Sequence, residues 1–234
     1  MFVKPSLQAA EKLQALVRAA VELASAEAPH WDKIAARLRY LGFARQLSED
    51  EAKRGITNFV AKLRYLTAKG LYGSYILEHY TERELSAAAR FMAEERNHLY
   101  TYAGLDLLLS RYVIHTHHGV ALESPQEMYL GIALHLAMLE LPAVRMDWVR
   151  RFYDMLSLQQ VTMATPTLAN ARKPYHQLSS CFIDTVPDSL EGIYRSLDSF
   201  AKVSKWGGGM GLYFGKVRAT GAAIRGFEGA AGCG

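Results

Sequence analysis

The chain has 234 residues, 50% of them apolar and 21% charged, with a mean hydropathy of −0.04. That composition excludes a disordered chain, a collagen-like fibre and a disulfide scaffold, and no apolar run reaches the roughly 18 residues of a membrane span. The net charge of +4 is not gathered in a Lys/Arg block; it is compatible with an anionic ligand such as a nucleotide and is only weak evidence for nucleic acid, which is not expected as a partner.

The first two thirds of the chain read as helix after helix, rich in Ala, Leu, Glu and Arg. Gln8–Ala26 carries apolar residues at helical spacing: Leu13, Leu16, Val17, Ala20, Val21 and Leu23. Pro29 ends it, and Trp31–Leu41 predicts a short second helix. Thr81 with Glu84 fits a capping box that opens a helix over Glu82–Glu95. Asn97–Tyr112 continues in helical style. Ser124-Pro125-Gln126-Glu127 is another capped start, and the helix it opens, Gln126–Glu140, is apolar enough to be buried. Asp147–Leu158 is one more helix.

The pattern switches after Val161. Pro166 disfavours helix at Thr165, so Thr165-Pro166-Thr167 is expected to be extended or turning. Leu178–Val186 predicts a short buried strand, Leu190–Lys205 a helix, Gly207–Gly211 a glycine turn and Gly211–Arg218 a second strand. Strand, helix, strand is a βαβ-like unit, the start of an α/β layer. Two strands and one helix cannot bury both sheet faces, so the sequence reads as open-ended.

Two cysteines, Cys181 and Cys233, make no disulfide framework, and MFVKPSLQAAEKLQ meets charge too early for a signal peptide; a cytoplasmic location is expected. No CxxC occurs, His115, His117 and His118 lack companion ligands, and Glu94, Glu95 and His98 supply only one Glu-x-x-His motif where a di-metal bundle needs two. No metal site is therefore expected. The Gly207–Gly211 turn fits neither a Walker A loop nor GxGxxG. Its setting is more informative: Asp188 and Ser189 lie at a helix N-terminus, Lys205 at that helix's end, and Arg218 and Arg225 follow. A carboxylate can hold ribose hydroxyls, and guanidinium and ammonium groups can hold phosphates. A helix cap with solvated basic residues would give the same spacing.

Three blocks, TPTLANARKPYHQLSSCFI, DSLEGIYRSLDSFAKVSKWGGGMG and KVRATGAAIRG, strongly resemble the large (α) subunit of ribonucleotide reductase. Upstream, EAPHWDKIAARL, LEHYTERELSAAARF and ALESPQEMYLGIALHLAM look like the helical N-terminal domain of the aerobic, diphosphate-reducing class I enzymes. The resemblance implies a helical N-terminal domain followed by the first strands and helix of a ten-stranded α/β barrel. Residues 1–28 would be a remnant of the ATP-cone, 29–160 the helical domain and 161–234 the start of the barrel. It implies that Cys181 is one of two active-site cysteines oxidised to a disulfide as the ribose is reduced, with Thr165 and Ser180 binding substrate beside it. Asp188, Ser189, Lys205, Arg218 and Arg225 would form the specificity site for a deoxynucleoside triphosphate or ATP effector.

The implied reaction converts ribonucleoside diphosphates to deoxyribonucleotides by radical chemistry. The implied partners are a metal-containing small (β) subunit that supplies the radical, thioredoxin or glutaredoxin as reductant, and a second copy docking through the 190–205 helix. The class II enzyme, which uses adenosylcobalamin, shares the barrel motifs. The family's radical cysteine, second redox cysteine and most of the barrel would lie beyond residue 234, and Cys233 matches none of those positions. No turnover is therefore expected from the chain alone. A separate C-terminal half would complete it, or the chain would be a non-catalytic nucleotide-binding or dimerisation module.

Overall fold

The computed structural model describes residues 8–223; Arg225 and Cys233 lie outside the described residues. The chain divides into two compact units, one of residues up to Met163 together with Leu168–His176, the other of Ala164–Thr167 and the residues from Gln177 on.

The first unit is helical. It contains α1 (Ala9–Leu23), α2 (His30–Arg54), α3 (Phe59–Ala68), α4 (Tyr75–His79), α5 (Glu82–Ala89), a 3-10 stretch (Glu94–Leu99), α6 (Tyr102–Leu107), a π-helical turn (Leu108–Tyr112), α7 (Pro125–Ala137) and α8 (Pro142–Ser157). Both predicted capping boxes form. The Thr81 hydroxyl accepts from the Glu84 backbone N–H while the Glu84 carboxylate accepts from Thr81 N–H, and Ser124 and Glu127 do the same. Each cap satisfies N–H groups that a helix start leaves without partners, worth about 1 kcal/mol.

The core centres on α7, where Met128, Leu130, Ile132, Ala133 and Leu134 are all fully buried. A helix apolar on every side must be covered on every side. Helix α8 packs along it through Val149, Tyr153 and Leu156, and α3 contributes Leu63 and Leu66. The predicted second helix is much longer than expected, running on through Gly42 to Arg54. Gly42 is a packing position: a Cβ there would lie 2.8 Å from Leu13 Cδ2, so the bare backbone lets α1 seat closely on α2. The helix from Glu82 stops at Ala89, short of Glu95. The Asn97–Tyr112 stretch is broken at Thr101, whose hydroxyl caps α6 by accepting from Gly104 N–H. His115 and Ala121 form an antiparallel bridge around Gly119, which has φ 77°, so the histidine stretch is a hairpin.

The second unit holds a βαβ motif: β1 (Cys181–Thr185), α10 (Leu190–Lys205) and β2 (Gly209–Tyr213), with the strands parallel and Cys181 opposite Gly209. Ahead of it, α9 (Thr165–Asn170) begins in this unit and ends in the first. It overturns the expectation of an extended Thr165-Pro166-Thr167. Pro166 sits in the first turn of the helix, where no backbone N–H is needed and its fixed φ suits the helix. The strands are also shorter than predicted. Gly209 and Gly211 belong to β2, which leaves Gly207, with φ 82°, and Gly208 to the turn. Strand β1 is not buried as expected: Cys181 is exposed and Ile183 is 87% exposed, since a two-stranded sheet with one helix leaves the other face bare.

Candidate active site and effector cluster

The segment that carries Cys181 has no regular structure before β1, yet its backbone is held at each residue. The Thr167 hydroxyl, two residues along α9 from Thr165, donates to the Leu178 carbonyl at 3.3 Å. The Gln177 side chain accepts from Ser179 N–H through Oε1 and donates to the Ser179 carbonyl through Nε2 at 2.9 Å. Gly209 N–H donates to the Ser180 carbonyl at 2.7 Å. The Ser180 hydroxyl lies 3.4 Å from Cys181 Sγ. Ser180 and Cys181 therefore belong to one small framework, which Thr167 ties to α9, the helix that Thr165 begins. An exposed thiol with a hydroxyl beside it is chemically suited to thiol–disulfide exchange.

The second predicted cluster lies at the opposite end of the βαβ motif. Asp188 follows β1, Arg218 follows β2, and the two side chains meet: Arg218 Nε is 3.0 and 2.9 Å from the two carboxylate oxygens, and Arg218 N–H donates to Oδ1 at 3.3 Å. The Arg218 side chain, and then its backbone N–H, hold the Asp188 carboxyl below the usual carboxylate range. Ser189, next in the chain, caps α10 by accepting from Gly192 N–H at 3.0 Å. The pair thus sits at the carboxyl ends of two parallel strands and beside the N-terminus of a 16-residue helix. Backbone N–H groups and the helix dipole favour an anion there.

Lys205 is not brought to this pair. It ends α10, about 22 Å along the axis from the first turn at 1.5 Å per residue, and its ammonium lies 5.4 Å from the Trp206 ring centroid.

Sequence reasoning missed three polar clusters in the helical unit. Arg172 is completely buried and pairs with Glu123, which is 1% exposed. The same guanidinium donates to the carbonyls of Leu168 (2.7 Å) and Tyr112 (2.8 Å), while Glu123 also accepts from Tyr72 Oη and Ile114 N–H. Arg172 stands inside a block that the resemblance singled out, but nothing local marks Glu123, 49 positions away, as its partner. Lys62 pairs with Glu127 and Glu51. Burial works to discharge the Lys62 ammonium, and the two carboxylates outweigh it and hold it above its ordinary range. His135 Nδ1 lies 3.0 Å from the Tyr75 hydroxyl, with the His176 ring 5.0 Å away. Among the described residues, no group of three or more His, Cys, Asp or Glu side chains is placed to hold a metal. Glu94, considered as a ligand, instead accepts from Tyr40 Oη and Asn97 Nδ2. No described helix is long and apolar enough to cross a membrane.

Two family profiles match the chain: "Ribonucleotide reductase, all-alpha domain" over residues 98–176 and "Ribonucleotide reductase, barrel domain" over residues 179–233. Curated relatives carry the name ribonucleoside-diphosphate reductase subunit alpha. The protein from Treponema pallidum is 59% identical over 232 residues, covering 99% of this chain and 27% of that protein. Those from Synechocystis sp. and Helicobacter pylori are 37% and 33% identical, each over 93% of this chain. The chain spans about a quarter of the length of the curated relatives it matches.

Proposed function

The chain belongs to the ribonucleotide reductase large-subunit family, and from that premise we propose that it supplies one redox thiol, part of the substrate pocket and most of an effector site to ribonucleoside-diphosphate reduction. In that reaction the 2′-hydroxyl of the ribose leaves as water and a hydrogen takes its place. Two thiols are oxidised to a disulfide and provide both electrons. Cys181 is one of the two. Thr165 and Ser180 hold the diphosphate substrate beside it, and the second thiol comes from barrel sequence beyond residue 234. The radical that starts the reaction comes from a metal-containing small subunit, with adenosylcobalamin the less favoured source. Thioredoxin or glutaredoxin re-reduces the disulfide. The observation that carries this reading is the framework around Cys181: an exposed thiol, its neighbouring Ser180 hydroxyl, and the ties from Thr167 and Gly209.

The Asp188–Arg218 pair is the effector site, its carboxylate suited to ribose hydroxyls and its guanidinium to phosphate. Ser189 contributes through the helix cap; Arg225, the remaining member of the expected set, lies outside the described residues. Lys205, at the far end of α10, would bind the same effector only across a partner copy. The outer face of α10 fits such a partner, since Leu190, Tyr194 and Leu197 recur at helical spacing and are 66%, 64% and 53% exposed. A nucleotide-binding and dimerisation module without catalysis is the second reading, favoured by that same apolar face. Calorimetric titration of dTTP, dATP and ATP, combined with an assay for dNDP formation with small subunit and dithiol, tests both. Effector binding without dNDP formation is expected of the chain alone. dNDP formation restored by adding the remaining barrel identifies the enzyme, and effector binding with no restoration identifies the module.

A further inference from the structure

We propose that Gln177 is a positioning residue for the Cys181 thiol. The inference rests on the reading of Cys181 as an exchanging thiol and deepens it. The Gln177 carboxamide closes on one peptide unit from both sides, accepting from Ser179 N–H and donating to the Ser179 carbonyl. Only a side chain with both an acceptor and a donor can do this; Glu keeps the acceptor alone, and Ala keeps neither.

The carboxamide is itself backed by the turn after α10. A Cβ on Gly208 would stand 3.3 Å from Gln177 Nε2, 2.9 Å from Phe182 Cε2 and 2.8 Å from Val203 Cγ1, so the bare glycine lets that turn close over Gln177. The next residue, Gly209, fixes the Ser180 carbonyl. With the peptides of Ser179 and Ser180 both held, the Ser180 hydroxyl is delivered to 3.4 Å from Cys181 Sγ. A hydroxyl there can donate to the thiolate, the form that attacks a disulfide. Gln177 acts on the sulfur through Ser180.

The test uses the full chain as Cys233→Ser, which leaves Cys181 as its one cysteine. The rate of exchange with a small aromatic disulfide is followed from neutral to alkaline pH. Gln177→Ala is expected to slow exchange at neutral pH about threefold, the scale of one weakened hydrogen bond to a charged group, and to raise the alkaline plateau by a smaller factor, because a thiolate that loses a donor is the stronger nucleophile. Ser180→Ala should do the same. The double variant should be no slower than either single one, because both act along one path. Should Gln177→Ala not fold, Gln177→Glu, which keeps the acceptor, should fall between parent and Ser180→Ala. A neutral-pH rate equal to the parent's, a lowered plateau, or multiplicative slowing in the double variant would overturn the proposal. A parent thiol that does not exchange at any pH would overturn the exchanging-thiol reading and the inference with it, which a reactive but Gln177-insensitive thiol would not do.

Discussion

Arg218 Nε lies 3.0 Å from one carboxylate oxygen of Asp188 and 2.9 Å from the other, across 30 positions of sequence. Neither residue belongs to a strand or helix; each follows one of the two parallel strands. Their meeting is therefore a product of strand pairing, and it places both charges of the proposed effector site at one end of the βαβ motif.

Replacing either member should weaken effector binding. Asp188→Asn and Arg218→Ala are each expected to raise the dTTP dissociation constant about tenfold, the scale of a lost charge-assisted hydrogen bond. Calorimetry at two salt concentrations checks this. The Arg218 variant should lose most of the parent's salt dependence, because the screened phosphate contact is the one removed.

The buried Glu123–Arg172 pair should show a sharp asymmetry. Glu123→Gln or Arg172→Met alone leaves one charge in the core without its counterpart and should cost about 3–5 kcal/mol in urea unfolding. The double variant should recover much of that loss. Equal losses in single and double variants would mean that packing, not charge, dominates the site.

Acid should destabilise the helical unit through His135. Burial, and then the nearby His176 charge, lower its pKa from 6.5 to about 4. Between those two pH values the unfolded chain binds a proton that the folded chain refuses, so stability is intact above pH 6.5 and falls as pH drops towards 4. His135→Gln should flatten this part of the pH dependence, as read from urea midpoints.

Gly208→Ala should destabilise the second unit by about 1–3 kcal/mol, because the new methyl would meet Val203 and Phe182 side chains at 2.8 and 2.9 Å. Gly207→Ala meets no neighbouring atom within 4 Å, yet its φ of 82° makes it strained, with an expected cost of about 1 kcal/mol. Thermal melts of the two variants separate crowding from backbone strain.

What was legible in the sequence was local. Thr81 and Ser124 announced their caps because a capping box closes within four residues, and Leu190–Lys205 carried its own periodicity. The helix expected over Trp31–Leu41 runs on through Gly42 to Arg54, and the packing of Leu13 against Gly42 is not visible in the local sequence. Pro166 misled because the same residue stops a helix from within and suits its first turn. The ties that hold Cys181 come from Thr167, Gln177 and Gly209, and only the last is brought there by strand pairing. The Glu123–Arg172 pair left no trace because nothing in either residue's neighbourhood specifies the other.

The π-helical turn at Leu108–Tyr112 fixes the length of the gene at this point. Its wide repeat, closed by Val113 N–H on the Leu108 carbonyl at 3.1 Å, aims the Tyr112 carbonyl at Arg172 and leads directly to Ile114, whose N–H meets Glu123. Deleting one codon there would restore the ordinary helical repeat and swing the following residues by about 100°. The buried guanidinium and carboxylate would each lose a backbone partner at once. Among descendants of this gene, single-codon gains and losses should be tolerated at the His117–Gly119 hairpin tip and purged from the turn a few residues before it.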